Sequence, residues 1–166
     1  MLGGCLSPSK REKTSSCPRA VATELINEPS EELEPTKEFA PNQAAYNEQL
    51  SQEAIQEWSK AIKAHPRCAE NYRERGWEYS NAGEFESALE DLTRAIAIDP
   101  KSSDSFCKRA WVHISLEEYD ASMRDSTKAI ALDRSNSSAY EARANAYSSL
   151  GNETLAAKDR EWLDKN

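Results

Sequence analysis

Long apolar runs are missing from this chain. The longest span only a few residues, far short of the roughly 20 that cross a bilayer as a helix, and no apolar stretch of about 7 to 15 residues gives the N-terminus the look of a secretory signal. Positive charge is scarce too: 21 Lys and Arg stand against 29 Asp and Glu, a net charge of -8. Nucleic-acid binding, which needs a face that neutralises phosphates, is therefore not expected. Only five glycines occur, none between Gly4 and Gly76, which leaves no phosphate-cradling loop. Two histidines and four cysteines (Cys5, Cys17, Cys68 and Cys107), without C-x-x-C spacing, point to neither a zinc module nor a disulfide framework. Free thiols in a reducing, cytoplasmic compartment are expected. His65 lies beside Pro66 and His113 falls at a core-type position, neither with a nucleophile at hand. No catalytic residue, cofactor or metal site is assigned.

Composition changes near residue 41. Residues 1–41 hold five of the seven prolines and no Trp or Tyr, too little apolar surface to offset the entropy of ordering, so a disordered tail is expected there. Its tip is basic (Lys10, Arg11, Lys13, Arg19) and its second half acidic (Glu24, Glu28, Glu31, Glu32, Glu34, Glu38). Ser7 before Pro8, with Lys10 beyond, has the form of a proline-directed phosphorylation site.

From residue 42 the chain is alanine-rich, aromatic and periodic. Tyr72, Phe106 and Tyr140 lie 34 apart, as do Arg75, Arg109 and Arg143; Gly76, Ala110 and Ala144; Ala54, Ala88, Ser122 and Ala156; and Ala61, Ala95 and Ala129, each followed by isoleucine. Each unit reads as two helices. Tyr72, Gly76 and Tyr79 recur at helical spacing, Ala82-Gly83 turns the chain, Ala88, Leu92, Ala95 and Ile96 line the second helix, and Asp99-Pro100 ends it. Small residues at Gly76 and Ala88 let the two helices approach closely. One pair cannot bury its apolar face alone, so the units must stack. Before them, the stripe Tyr46, Leu50, Ala54, Trp58 and Ala61 predicts one long capping helix over 42–64 with Asn42 as N-cap.

Tyr72, Gly76, Tyr79, Ala88, Leu92, Ala95 and Pro100 resemble the tetratricopeptide repeat pattern. The resemblance implies an all-α, right-handed array of helical hairpins over 42–166, with repeats at about 69–102, 103–136 and 137–166. The second unit departs from the pattern at His113, Ser122, Ser126 and Arg134, and the third at Glu153 and Arg160.

The arginine column has an acidic counterpart: Glu57, Asp91, Asp125 and Asp159. Arg75 with Asp91, Arg109 with Asp125 and Arg143 with Asp159 are expected to form structural pairs between helices, in preference to an anion-binding row. Trp77 and Trp111 follow the small contact residues Gly76 and Ala110. In the resembling family that position points into a concave, peptide-binding groove lined by the first helices. Arg73, Asn81, Lys108, Asn145 and Ser148 are expected around the two indoles as polar groups, with Arg73 and Lys108 favouring acidic ligand residues. The family's carboxylate clamp for chaperone C-termini is matched only in fragments by Arg73, Trp77, Lys108, Ser138 and Ala142.

These features point to a non-catalytic module, an adaptor or co-factor that binds a protein or peptide in the groove. Two alternatives come from other classes. Leu2-Gly3-Gly4-Cys5 resembles the end of a lipoprotein signal, which suggests a membrane-tethered lipoprotein accessory anchored through Cys5; the other is an assembly subunit that uses the exposed end of the array as a stacking surface for another chain. The last helix, with Leu155, Trp162 and Leu163, implies either weak self-association through residues 153–166 or Trp162 folding back as a cover.

Overall fold

The computed structural model describes residues 43–166. The expectations for the tail, Cys5, Ser7 and the Asn42 cap lie outside the described residues. Seven helices follow one another: α1 (Gln43–Ala64), α2 (Ala69–Asn81), α3 (Phe85–Ile98), α4 (Ser103–Ser115), α5 (Tyr119–Leu132), α6 (Ser137–Ser149) and α7 (Glu153–Lys165). They pair as α2–α3, α4–α5 and α6–α7, and each pair packs on the next, while α1 packs on α2. The first helices α2, α4 and α6 also touch one another, whereas the second helices α3, α5 and α7 make no contact of comparable extent among themselves. Close inner helices and splayed outer ones curve the array, with the first helices on its concave side.

The local chemistry explains each hairpin. At the turns, Gly83 and Gly151 take φ of 79° and 76°, the left-handed region that glycine enters without a Cβ clash. Glu117 occupies the same turn of the second unit at φ 60°, a conformation that costs a side-chain-bearing residue about 1–2 kcal/mol. Past the second helices, Asp99 Oδ1 accepts from the Lys101 amide at 3.0 Å and Asp133 Oδ1 from the Ser135 amide at 2.9 Å. The aspartate turn therefore forms with Arg134 as it does with Pro100. Ser102 and Asn136 cap α4 and α6 by accepting from the amides of Ser105 and Ala139.

Packing follows the small-residue columns. A Cβ on Gly76 would lie 3.0 Å from Leu92 Cγ and 3.1 Å from the Ala88 carbonyl oxygen, so α2 and α3 meet at a contact with no room for a methyl group. Ala88, Leu92 and Val112 form one cluster that joins the first and second units. Phe106, Cys107, Ala129, Ile130 and Ala139 form another between the second and third. At the far end the Trp162 ring stacks on Tyr140, centroids 3.7 Å apart and 10° from parallel, and so covers the aromatic face that the last unit would otherwise leave open. Cys107 is a buried free thiol, but Cys68, also buried, is disulfide-bonded. The expectation of free thiols fails for Cys68.

The second unit carries two removable costs. Ser122 stands where the other units have alanine; it is fully buried and its hydroxyl has no hydrogen-bond partner, a burden of about 1–3 kcal/mol. Ser122→Ala is expected to raise stability by about 1 kcal/mol. Glu117→Gly is expected to add roughly 0.5–1 kcal/mol, the relieved turn being offset in part by glycine's freedom in the unfolded chain. Urea melts followed by circular dichroism measure both, and unchanged midpoints would show that neither position is strained.

Candidate functional site

Two sets of polar side chains repeat through the array, and their geometry separates them. The first closes each hairpin. Arg75 Nε and Nη2 donate to the two Asp91 carboxylate oxygens at 2.6 and 2.8 Å, Arg109 donates to Asp125 at 2.7 and 2.9 Å, and Arg143 to Asp159 at 2.8 and 2.6 Å. All three are bidentate forks on buried aspartates, the arrangement that suits a planar guanidinium. A third nitrogen reaches the preceding unit: Arg75 Nη1 donates to Ser59 Oγ at 3.0 Å, and Arg109 Nη1 to Thr93 Oγ1 at 3.1 Å. Rings flank each cation at 5.5 to 6.0 Å: Tyr72 and Tyr79 at Arg75, Phe106 at Arg109, Tyr140 and Tyr147 at Arg143. Hydrogen bonding to Asp91 and to Asp159 raises the Arg75 and Arg143 guanidinium pKa values further, against the effect of burial. In the second unit His113 takes the place of Tyr79, its Nδ1 2.6 Å from Glu118 and its Nε2 3.7 Å from Asp125. Glu57, the first member of the acidic column, pairs only along its own helix, with Lys60.

The second set lies on the first helices. Glu74 of α2 sits between two cations: Arg73 Nε donates to its Oε1 at 2.7 Å, and Lys108 Nζ of α4 donates to its Oε2 at 2.8 Å. Arg73 also reaches Glu70 at 3.7 Å. The Lys108 ammonium lies 5.0 Å from the centre of the Trp77 ring, a cation–π contact between neighbouring inner helices. Trp111 packs against the cluster around Phe106, and its Nε1 donates to Ser138 Oγ of α6 at 2.9 Å. Both indoles remain partly exposed. Burial raises the Cys107 thiol pKa, only partly opposed by a hydrogen bond with Ser138, so no thiolate is poised beneath this surface.

The remaining expected residues take lesser places. Asn81 donates to Glu78 of its own helix, Ser148 accepts from Arg160, and Asn145 is half-buried on α6. Arg73 and Lys108, expected to favour acidic ligand residues, are both engaged by Glu74, and Glu70 adds to Arg73. Sequence reading missed Glu74, and it placed Ser138 only at a clamp-type position without its bond to Trp111. Glu74 and Lys108 are 34 residues apart, so opposite charges in one column on touching helices were the available signal; no periodic signal marks Ser138.

With this geometry the family comparisons agree in detail. Tetratricopeptide repeat profiles match residues 69–102 and 103–136, the first two of the three hairpins described above. Residues 69–136 carry two tetratricopeptide repeats. Among solved structures, it is similar to the MamA protein (26% identity, TM-score 0.63, over 69% of this chain and 62% of that one). It is similar as well to the second tetratricopeptide domain of Spaghetti (RPAP3) bound to the HSP90 peptide SRMEEVD (29%, 0.55, over 70% and 94%), and to the Arabidopsis OM64 tetratricopeptide domain (26%, 0.58, over 64% and 88%). The match spans less than two thirds of that MamA chain. No curated protein matches the chain.

The Glu74 bridge has a defined pH dependence. Burial by itself would raise the Glu74 pKa, but hydrogen bonds and charge from Lys108 and then Arg73 outweigh it and hold the carboxyl below its ordinary value. A depressed carboxylate contributes stability that is fully present above the unfolded value, about 4.3, and that is lost as the pH falls through the lower folded value. Thermal melts from pH 6 to pH 3 are expected to show a smaller loss of stability for Glu74→Gln than for the natural chain. Parallel curves would mean that the bridge carries no net stability.

Proposed function

We propose that this tetratricopeptide repeat array is a non-catalytic adaptor that holds an extended segment of a partner protein on its concave face, with Trp77 and Trp111 as apolar anchors. One observation carries the reading: two partly exposed indoles stand at equivalent positions on touching inner helices, while the column of arginines is consumed in closing the hairpins. Each indole is held from the next helix, Trp77 by Lys108 and Trp111 by Ser138, so little side-chain entropy remains to be lost on binding. Asn145 and Ser148 of α6 continue the face as polar groups, and Asn81 lies at the end of α2. A similar structure bound to an HSP90 peptide supports peptide binding as the use of the array. No helix among the described residues is long and apolar enough to cross a membrane.

Weak self-association through residues 153–166 is disfavoured within this reading. Tyr140 is covered by Trp162, and Glu141, Asp164 and Asn166 stand where the previous unit has Cys107, Ile130 and Leu132. A second copy would meet those polar side chains there, with Leu155 the exposed apolar group of the segment.

The test uses a peptide selected from a random display library against the natural chain. Trp77→Ala is expected to weaken that peptide about thirtyfold, equivalent to the roughly 2 kcal/mol that a buried aromatic anchor contributes, with little change in the melting midpoint. Trp111→Ala is expected to weaken binding similarly but also to lower stability, since Trp111 packs on the core cluster. Unchanged affinity in both variants would rule the anchors out.

A further inference from the structure

Glu74 sits between two cations on neighbouring first helices. Its two oxygens are each taken by a different cation, Arg73 at 2.7 Å and Lys108 at 2.8 Å, contributed by two touching inner helices. The two cations therefore converge on one carboxylate volume, and the chain itself fills it. Glu70 holds Arg73 from the other side at 3.7 Å, so Glu70, Glu74, Arg73 and Lys108 sum to zero charge. Both partners of the central bridge are about three-quarters buried, where charge-assisted hydrogen bonds are strong.

We infer that Glu74 is a specificity-determining residue that makes the concave groove reject peptides ending in a free carboxylate and leaves apolar side chains as the ligand's anchors. The inference rests on the groove reading above. An incoming carboxylate must displace one that is tethered to the same helix as Arg73 and pays no translational entropy, so the internal group wins at any ordinary ligand concentration. An apolar ligand side chain laid against Trp77 or Trp111 meets no such competitor. Without the Glu74 charge the same four positions would carry a net charge of +1 around two converging donors, which is an anion site. The selectivity thus comes from a repulsive element built into the groove.

The experiment titrates the full chain with a synthetic acidic hexapeptide ending in aspartate with a free α-carboxylate, read by calorimetry and by indole fluorescence. The natural chain is expected to show no saturable binding into the millimolar range. Glu74→Gln, which keeps the shape and removes the charge, is expected to bind at least tenfold more tightly. Capping the peptide as its C-terminal amide is expected to reduce that gain, and adding Lys108→Met to abolish it. Glu74→Ala serves as a second variant with the same expectation. The inference is overturned if either variant keeps its helical circular dichroism yet gains no affinity, if the natural chain binds the acidic peptide as tightly as the variants, or if both variants lose the fold. The library-selected peptide, titrated in parallel, separates the two readings. Trp77-dependent binding of that peptide without any acidic gain in Glu74→Gln defeats the selectivity filter alone; a selected peptide indifferent to Trp77 and Trp111 defeats the groove.

Discussion

Everything in this array depends on the bidentate fork between an arginine of each first helix and an aspartate of its second. Helix pairs of 13 and 14 residues are too short to persist alone in water, and the contact that joins them is narrow, built from Gly76 or alanine against alanine or Ser122. The fork holds that contact in register. Its rigidity comes from planarity, from rings against the guanidinium, and from the third bond to Ser59 or Thr93 of the preceding unit. One side chain thus sets both the closure of a hairpin and its stacking on the previous one. The aspartates are buried and matched, so removing either partner leaves an uncompensated charge, which costs more than the pair contributes when intact.

That division of labour determines what remains for a ligand. The arginine column is spent on structure, and inner cations outside it, Arg73 and Lys108, are tied to Glu74. The first helices therefore offer fixed aromatic surface in place of a positive groove. Lys108 has a double part: it balances Glu74 and orients Trp77 by resting on its ring.

Much of the fold was legible because a repeat writes the same physics several times. The 34-residue columns exposed the Gly76 and Ala88 contact and the constant separation of 16 residues between each arginine and its aspartate. What single columns left hidden was charge that changes along a column. Glu74, Lys108 and Ala142 occupy one register position on three neighbouring helices, and their pairing appears only when touching helices are read against each other. The Trp111–Ser138 bond spans 27 residues and belongs to no column. The strained turn at Glu117 was written in the same register as Gly83 and Gly151, yet it needed the backbone angle to be recognised. The Cys68 disulfide could not be read from spacing at all.

The four tryptophans report on different parts of the molecule: Trp58 on the capping helix, Trp77 and Trp111 on the concave face, and Trp162 at the far end. Indole N–H spectra of the isotope-labelled chain, recorded as a library-selected peptide is added, therefore test most directly where the ligand sits. If the concave face is the binding surface, the Trp77 and Trp111 signals move with saturation while those of Trp58 and Trp162 stay in place. Movement of Trp58 or Trp162 with Trp77 and Trp111 unchanged would contradict it.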